Sequence, residues 1–169
     1  AGLSYPSDTK FISTWHSEPF LLYKFDLRNI TNIRMFIGFT DQTRATMLGA
    51  DNPAGNYFGL QFSTARGDTR FQCVSKDGTT QTLQDTDWTG HPAASTKYYV
   101  AIEKLATTAI VSLFDSAWNP IGTTETLSTN PPGLDTAGLR IVAGIQNTAA
   151  ASKRIRHQFA CLNLSPSFS

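Results

Sequence analysis

Lys97–Thr123, KYYVAIEKLATTAIVSLFDSAWNPIGT, is the stretch whose reading decides the fold. Tyr98, Val100 and Ile102 alternate with Tyr99, Ala101 and Glu103, the period of two that puts every second side chain of a strand into a core. Leu105-Ala106-Thr107 turns the chain, and Ala109–Phe114 forms a second strand whose mixed pattern predicts cover on both faces. Asp115-Ser116-Ala117-Trp118-Asn119-Pro120 supplies turn chemistry before Ile121-Gly122-Thr123 opens a third strand. So short a span has no room for a crossover helix, so the strands are antiparallel.

Working outward, the same period recurs on both sides. Phe11–His16 and Leu21–Leu27 read as strands separated by Glu18-Pro19, and Met35, Ile37 and Phe39 point inward while Arg34, Phe36, Gly38 and Thr40 point out. Asn56–Thr64 is a strand with Phe58, Leu60 and Phe62 inward; the Ala65-Arg66-Gly67-Asp68 turn returns it along Arg70–Lys76. Asp77-Gly78 is a hairpin turn that sends Thr79–Gln84 back. Leu139, Ile141, Ala143 and Ile145 mark a further strand, and Lys153–Leu164 closes the chain after an Ala149–Ser152 turn. Asp41–Gly55 and Gln84–Ser95 lack the period and read as rim loops, and Glu125–Gly138 as a polar loop or short helical turn. Ten to twelve strands and no convincing helix give an all-β, antiparallel β-sandwich of jelly-roll type, with residues 1–10 a loose arm or linker and 11–169 one domain.

Composition narrows the function. The 169 residues carry 14 basic and 13 acidic side chains, a net charge of +1, which argues against a nucleic-acid partner. Charged residues make up 16% of the chain. With abundant Thr, Ser, Gly and aromatic residues, that balance suits an extracellular or virion-surface β protein. No apolar run approaches the roughly 18 residues of a membrane helix, and AGLSYPSDTK has neither the charged nor the apolar region of a leader, so a soluble chain is expected. Cys73 and Cys161 are the 2 cysteines; they read either as buried free thiols or as a bond between neighbouring strands. No Cys/His cluster suggests zinc, and Asp85, Asp87 and the Asp51-Asn52 pair read as turn formers rather than calcium ligands. No metal or cofactor is expected.

Three stretches carry a family resemblance: RMFIGFTDQ with ADNPAGNYFGLQFSTARGDTRFQCVSKDGTTQT, the hairpins from Tyr98, and the closing LRIVAGIQNTAAASKRIRHQFACLNLS. Together the pattern resembles the concanavalin A-like lectin/glucanase sandwich found as a module in bacteriophage tail, fibre and other virion structural proteins. The resemblance implies the jelly-roll fold and a virion-surface setting, more than a chemistry.

Catalysis is not expected. Glucanases of that fold resemble one another in an E-x-D-x-x-E strand, because glycoside cleavage needs two carboxylates about 5–9 Å apart. Here Glu18, Glu103 and Glu125 are the glutamates, and none has an acidic neighbour two or four residues away on its strand. His16, His91 and His157 are dispersed and no G-x-S-x-G elbow accompanies a serine. The run Lys153–His157 reads as a solvated outer face. Arg66-Gly67-Asp68 resembles the integrin-binding tripeptide, although a tight turn needing Gly67 accounts for it equally.

What remains is binding. Sugars are held by aromatic faces and a few orienting polar groups, and the rim loops with the Ala65–Thr69 turn offer Trp88, His91, Tyr57, Arg66, Asp68 and Asp51. Trp88 is the expected platform; Trp118 is a further candidate near a turn, although it and Trp15 have stronger claims to packing roles. The expected function is a non-enzymatic virion-surface attachment module binding host carbohydrate, acting as a homo-oligomer without membrane insertion. A structural virion protein working through contacts with neighbouring subunits is the alternative, and a glycoside hydrolase of the same fold stands third.

Overall fold

In the computed structural model, residues 2–5, 18–133, 138, 140–149 and 155–163 are described, with 2–5 and 155–163 as backbone strands. Among them are eleven strands and one short helix in the order β1 (Gly2–Tyr5), β2 (Phe20–Leu27), β3 (Ile33–Thr40), α1 (Arg44–Gly49), β4 (Gly55–Ser63), β5 (Gln72–Gly78), β6 (Gln81–Asp85), β7 (Thr96–Lys104), β8 (Ala109–Phe114), β9 (Glu125–Leu127), β10 (Arg140–Asn147) and β11 (Ile155–Asn163). They form a six-stranded sheet, β1-β10-β3-β4-β5-β6, and a five-stranded sheet, β11-β2-β7-β8-β9, antiparallel throughout. The expected all-β sandwich is therefore the fold.

The alternation sets the core. Leu21, Tyr23, Phe25 and Leu27 of β2, with Tyr98, Val100 and Ile102 of β7, face Met35, Ile37 and Phe39 of β3 and Phe58, Leu60 and Phe62 of β4. Ile141 and Ile145 of β10 join them. Rings interlock at the centre: Phe39 stacks on Phe58 at 5.1 Å, and Phe71 meets Phe25, Phe62 and Tyr98 edge-on. Cys73 is a buried free thiol within this cluster, and burial pushes its pKa well up. A slip of one residue in any of these strands would turn its apolar set outward, so the core fixes the register.

Several local expectations are corrected. Gly2–Tyr5 is not a loose arm but a strand paired with β10 (Gly2 with Gly144, Tyr5 with Ile141). Glu125–Leu127 within the expected polar loop extends the edge of the five-stranded sheet, beside Ala109–Val111. The Asp41–Gly55 loop contains α1, which a six-residue span hides from any periodicity count. Ala109–Phe114 is covered on one face rather than two: Ala109, Val111 and Leu113 are buried while Ile110, Ser112 and Phe114 are half-buried. Phe11–His16, Trp15, the side chains of His157 and Cys161, and most of the basic run lie outside the described residues or side chains.

Candidate functional site

The outer face of the six-stranded sheet carries a second apolar cluster and, beside it, a polar one. Phe36, Tyr57, Val74 and Val142 point away from the core, and α1 lies over them with Met47 and Leu48 buried. Thr43 caps the helix, its hydroxyl accepting from the Thr46 amide at 3.2 Å. At the other end Arg34 donates from Nη1 to the Leu48 carbonyl (2.9 Å), occupying an oxygen the helix leaves unpaired, and from Nε to Asp51 (2.7 Å). Gly144 of β10 makes the close approach possible, since a Cβ there would stand 2.9 Å from Leu48 Cδ1.

The chain leaving α1 is pinned across the same face. The Asp51 carbonyl accepts from Gln81 Nε2 (2.9 Å), Gln61 Nε2 (3.2 Å) and Arg66 Nη1 (3.4 Å). Buried Lys76 donates to Asn52 Oδ1 (2.7 Å) and the Pro53 carbonyl (2.8 Å). Asp41 closes the loop by accepting from the backbone and side chain of Asn56 at 3.0 and 2.7 Å. A charged group at this depth is tolerable only because each has several partners.

The residues singled out by sequence divide into two groups. Asp51, Tyr57, Arg66 and Asp68 are brought together on this outer face. Arg66 grips Asp68 through Nε (2.8 Å) and Nη2 (2.6 Å) and also donates to Gln61 Oε1 (2.6 Å). The Arg-Gly-Asp tip is thus folded onto the sheet, not presented, with Gly67 at φ 87° making the turn. Burial pulls the Asp51 carboxyl upward, but hydrogen bonds from Arg34 and Ser63 and the charges of Arg34 and Arg66 outweigh it and leave the pKa lowered. Tyr57 is buried, its phenol pushed up chiefly by that burial, with its hydroxyl 3.5 Å from Asn52 Oδ1. These side chains build a platform; they satisfy one another.

Trp88 and His91 are elsewhere, and the expectation for Trp88 is overturned. Its side chain is 0% exposed within the inter-sheet core, where Nε1 donates to the Thr123 carbonyl at 2.9 Å. A ring sealed between sheets can offer no face to a sugar. An aromatic in a turn-rich loop read as a rim residue, but Asp87 hooks the loop inward by accepting from the Thr123 amide at 2.9 and 3.0 Å. His91 sits beside it, Nδ1 2.9 Å from the Tyr98 hydroxyl, with its pKa lowered by burial. Trp88 serves the architecture, while His91 is half-buried at its edge.

What the sequence missed is the open ground beside the pinned loop. A cleft of about 350 Å³ runs between α1 and β10, lined by Arg44, Ala45, Leu48, Ile145, Gln146 and Asn147. Gln146 lies opposite Arg34 in the ladder, so the cleft adjoins the polar network. Asn147 Oδ1 is buried without a hydrogen-bond partner among the described residues. Leu48 provides apolar surface and Arg44, Gln146 and Asn147 provide polar groups, while Ile145 borders the cleft with its side chain turned into the core. No group of three or more His, Cys, Asp or Glu that could hold a metal occurs among the described residues.

No family model and no curated protein matches the sequence. Solved structures do match. A family 7 alginate lyase A1-II′ variant in complex with its substrate aligns with a TM-score of 0.64 at 14% identity, over 98% of this chain and 69% of that one. The CBM2 module of the evolved Dit of Lactobacillus casei BL23 phage J-1 aligns at 0.58 and 12% identity, over 100% and 70%. Xenopus laevis galectin-Ib aligns at 0.55 and 12%, over 96% and 100%. At these identities the likeness is one of fold: the chain has the concanavalin A-like jelly roll that galectins, a phage carbohydrate-binding module and polysaccharide-degrading enzymes share.

Proposed function

We propose that the chain is a non-enzymatic carbohydrate-binding module that attaches a virion to a host surface glycan, the sugar lying in the cleft between α1 and β10. The observation that carries this reading is the cleft itself, where an apolar wall from Leu48 meets polar groups from Arg44, Gln146 and Asn147. The fold it shares with galectins and with a phage carbohydrate-binding module supports the ligand class and the setting.

The state of the acids on this face supports binding without cleavage. Asp51 is held as an anion by Arg34 and Arg66, and Asp68 spends both oxygens on Arg66. Asp51, held as an anion, is poorly suited to lend a proton to a leaving group, which general acid catalysis requires. A glycan array with the intact chain tests the reading: Gln146→Ala and Asn147→Ala should each weaken retention on the bound glycans while near-ultraviolet dichroism stays unchanged. Retention indifferent to both substitutions would remove the cleft from the account.

The runner-up is a structural virion protein working through subunit contacts. Half-buried Phe20, Leu22, Ile110 and Phe114 on the outer face of the five-stranded sheet favour it. Sedimentation of the purified chain decides between them, since a stable assembly that retains no glycan would match the structural role.

A further inference from the structure

On the sheet opposite the cleft, Trp118 is built as an exposed ring platform. Its indole lies flat on Tyr99, with centroids 3.9 Å apart and planes 22° apart, and Phe114 flanks it at 5.9 Å. It is 49% exposed. One π-face is covered by Tyr99, so that exposure belongs largely to the other. The turn beneath is tied by Asp115, which accepts from the Ala117 amide (2.8 Å) and from the backbone and side chain of Asn119 (both 2.9 Å). Trp118 itself stands at φ 68°, a conformation a bulky residue enters only when its surroundings impose it. Lys24, opposite Tyr99 in the ladder, brings its ammonium to 4.9 Å from the centre of the Tyr99 ring, and it makes no ion pair among the described residues.

The surroundings identify the occupant. Leu83 and Trp118 are the large hydrophobic side chains exposed among the described residues, and Leu83 is on the other sheet. Ser116, Ala117, Asn119 and Pro120 beside Trp118 are exposed. A stable protein contact needs about 800 Å² from each partner. One indole with a polar rim offers the area of a single sugar ring, whose axial C–H bonds pack on an aromatic face while its hydroxyls keep their water. We infer that Trp118, backed by Tyr99, forms a second glycan subsite, independent of the cleft, that takes one neutral pyranose ring on its open face.

Calorimetric titration of the full chain with cello-oligosaccharides and galacto-oligosaccharides tests this. At least one of the two should bind, and Trp118→Ala should weaken it by about tenfold or more. Trp118→Phe should restore part of the loss. Gln146→Ala, on the opposite sheet, should leave this binding intact, so a failure here is separable from a failure at the cleft. The inference is overturned if neither saccharide binds, if Trp118→Ala binds as the parent does, or if that substitution changes the sedimentation coefficient while no saccharide is held.

Discussion

The two outer faces of the sandwich use opposite means to become flat. On the six-stranded sheet, Arg34, Gln61, Arg66, Asp68 and Lys76 are charged or polar, and they are made harmless by binding one another and the loop laid over them. On the five-stranded sheet the outward row is Lys24, Tyr99 and Phe114, and it is covered by an indole stacked from the next turn. A polar face needs matched partners at hydrogen-bond distance, so it becomes rigid, and among the described residues a cleft lies beside it between α1 and β10. An aromatic face needs only area, so a ring can stay half-bare. Chemistry that looks functional in the sequence can therefore be scaffold, and a residue assigned to packing can be the one presented.

The strongest blow to the comparison removes what both faces share. Leu60 is fully buried between the sheets. Leu60→Asp should cost roughly 3–5 kcal/mol by burying an unpaired charge, and a thermal melt that does not move would show the register to be wrong. Next, Arg66→Ala strips partners from Asp68, Gln61 and the Asp51 carbonyl at once. A loss of about 2–4 kcal/mol is expected, with faster amide exchange confined to residues 41–56. If exchange rose equally on both sheets, the network would not be what pins the loop.

Trp118→Ala should cost much less, about 1 kcal/mol, because half of the ring is already in water. A larger loss in chemical denaturation would make the ring a packing residue after all. The smallest effect is the pH response of His91, whose pKa burial lowers from 6.5. The unfolded chain takes up a proton there that the folded chain resists, so stability is full above pH about 6.5 and declines as pH falls below it. His91→Gln should flatten that part of the stability profile, and a profile unchanged by the substitution would mean the ring is not desolvated on folding.

Much of this was legible. Period-two alternation placed Phe58, Leu60, Phe62, Val100, Ile102, Ile141 and Ile145 in the core, because only that register buries them. The clustering of Asp51, Tyr57, Arg66 and Asp68 was legible as neighbouring rim segments, though not that the charges would consume each other, which depends on distances between β3, β4 and β5. Trp88 was misread because loop composition says nothing about which way a loop folds; the inward hook is Asp87 reaching a residue far along the chain. Trp118 carries a signal of its own in the sequence. Ile110 and Phe114 are apolar on the phase opposite Ala109, Val111 and Leu113, which marks an outer face wanting cover, and a tryptophan follows in the next turn. The cleft had none, since its walls come from α1 and β10, far apart in sequence.

The central claim is that the cleft beside α1 holds a glycan and leaves it whole. Amide NMR of the isotope-labelled chain, titrated with a panel of oligosaccharides, reads both halves at once. Shifts that saturate and centre on residues 44–48 and 145–147, with the saccharide signals intact after prolonged incubation, are the predicted result. Shifts absent with every saccharide, or new reducing-end signals growing with time, would contradict it.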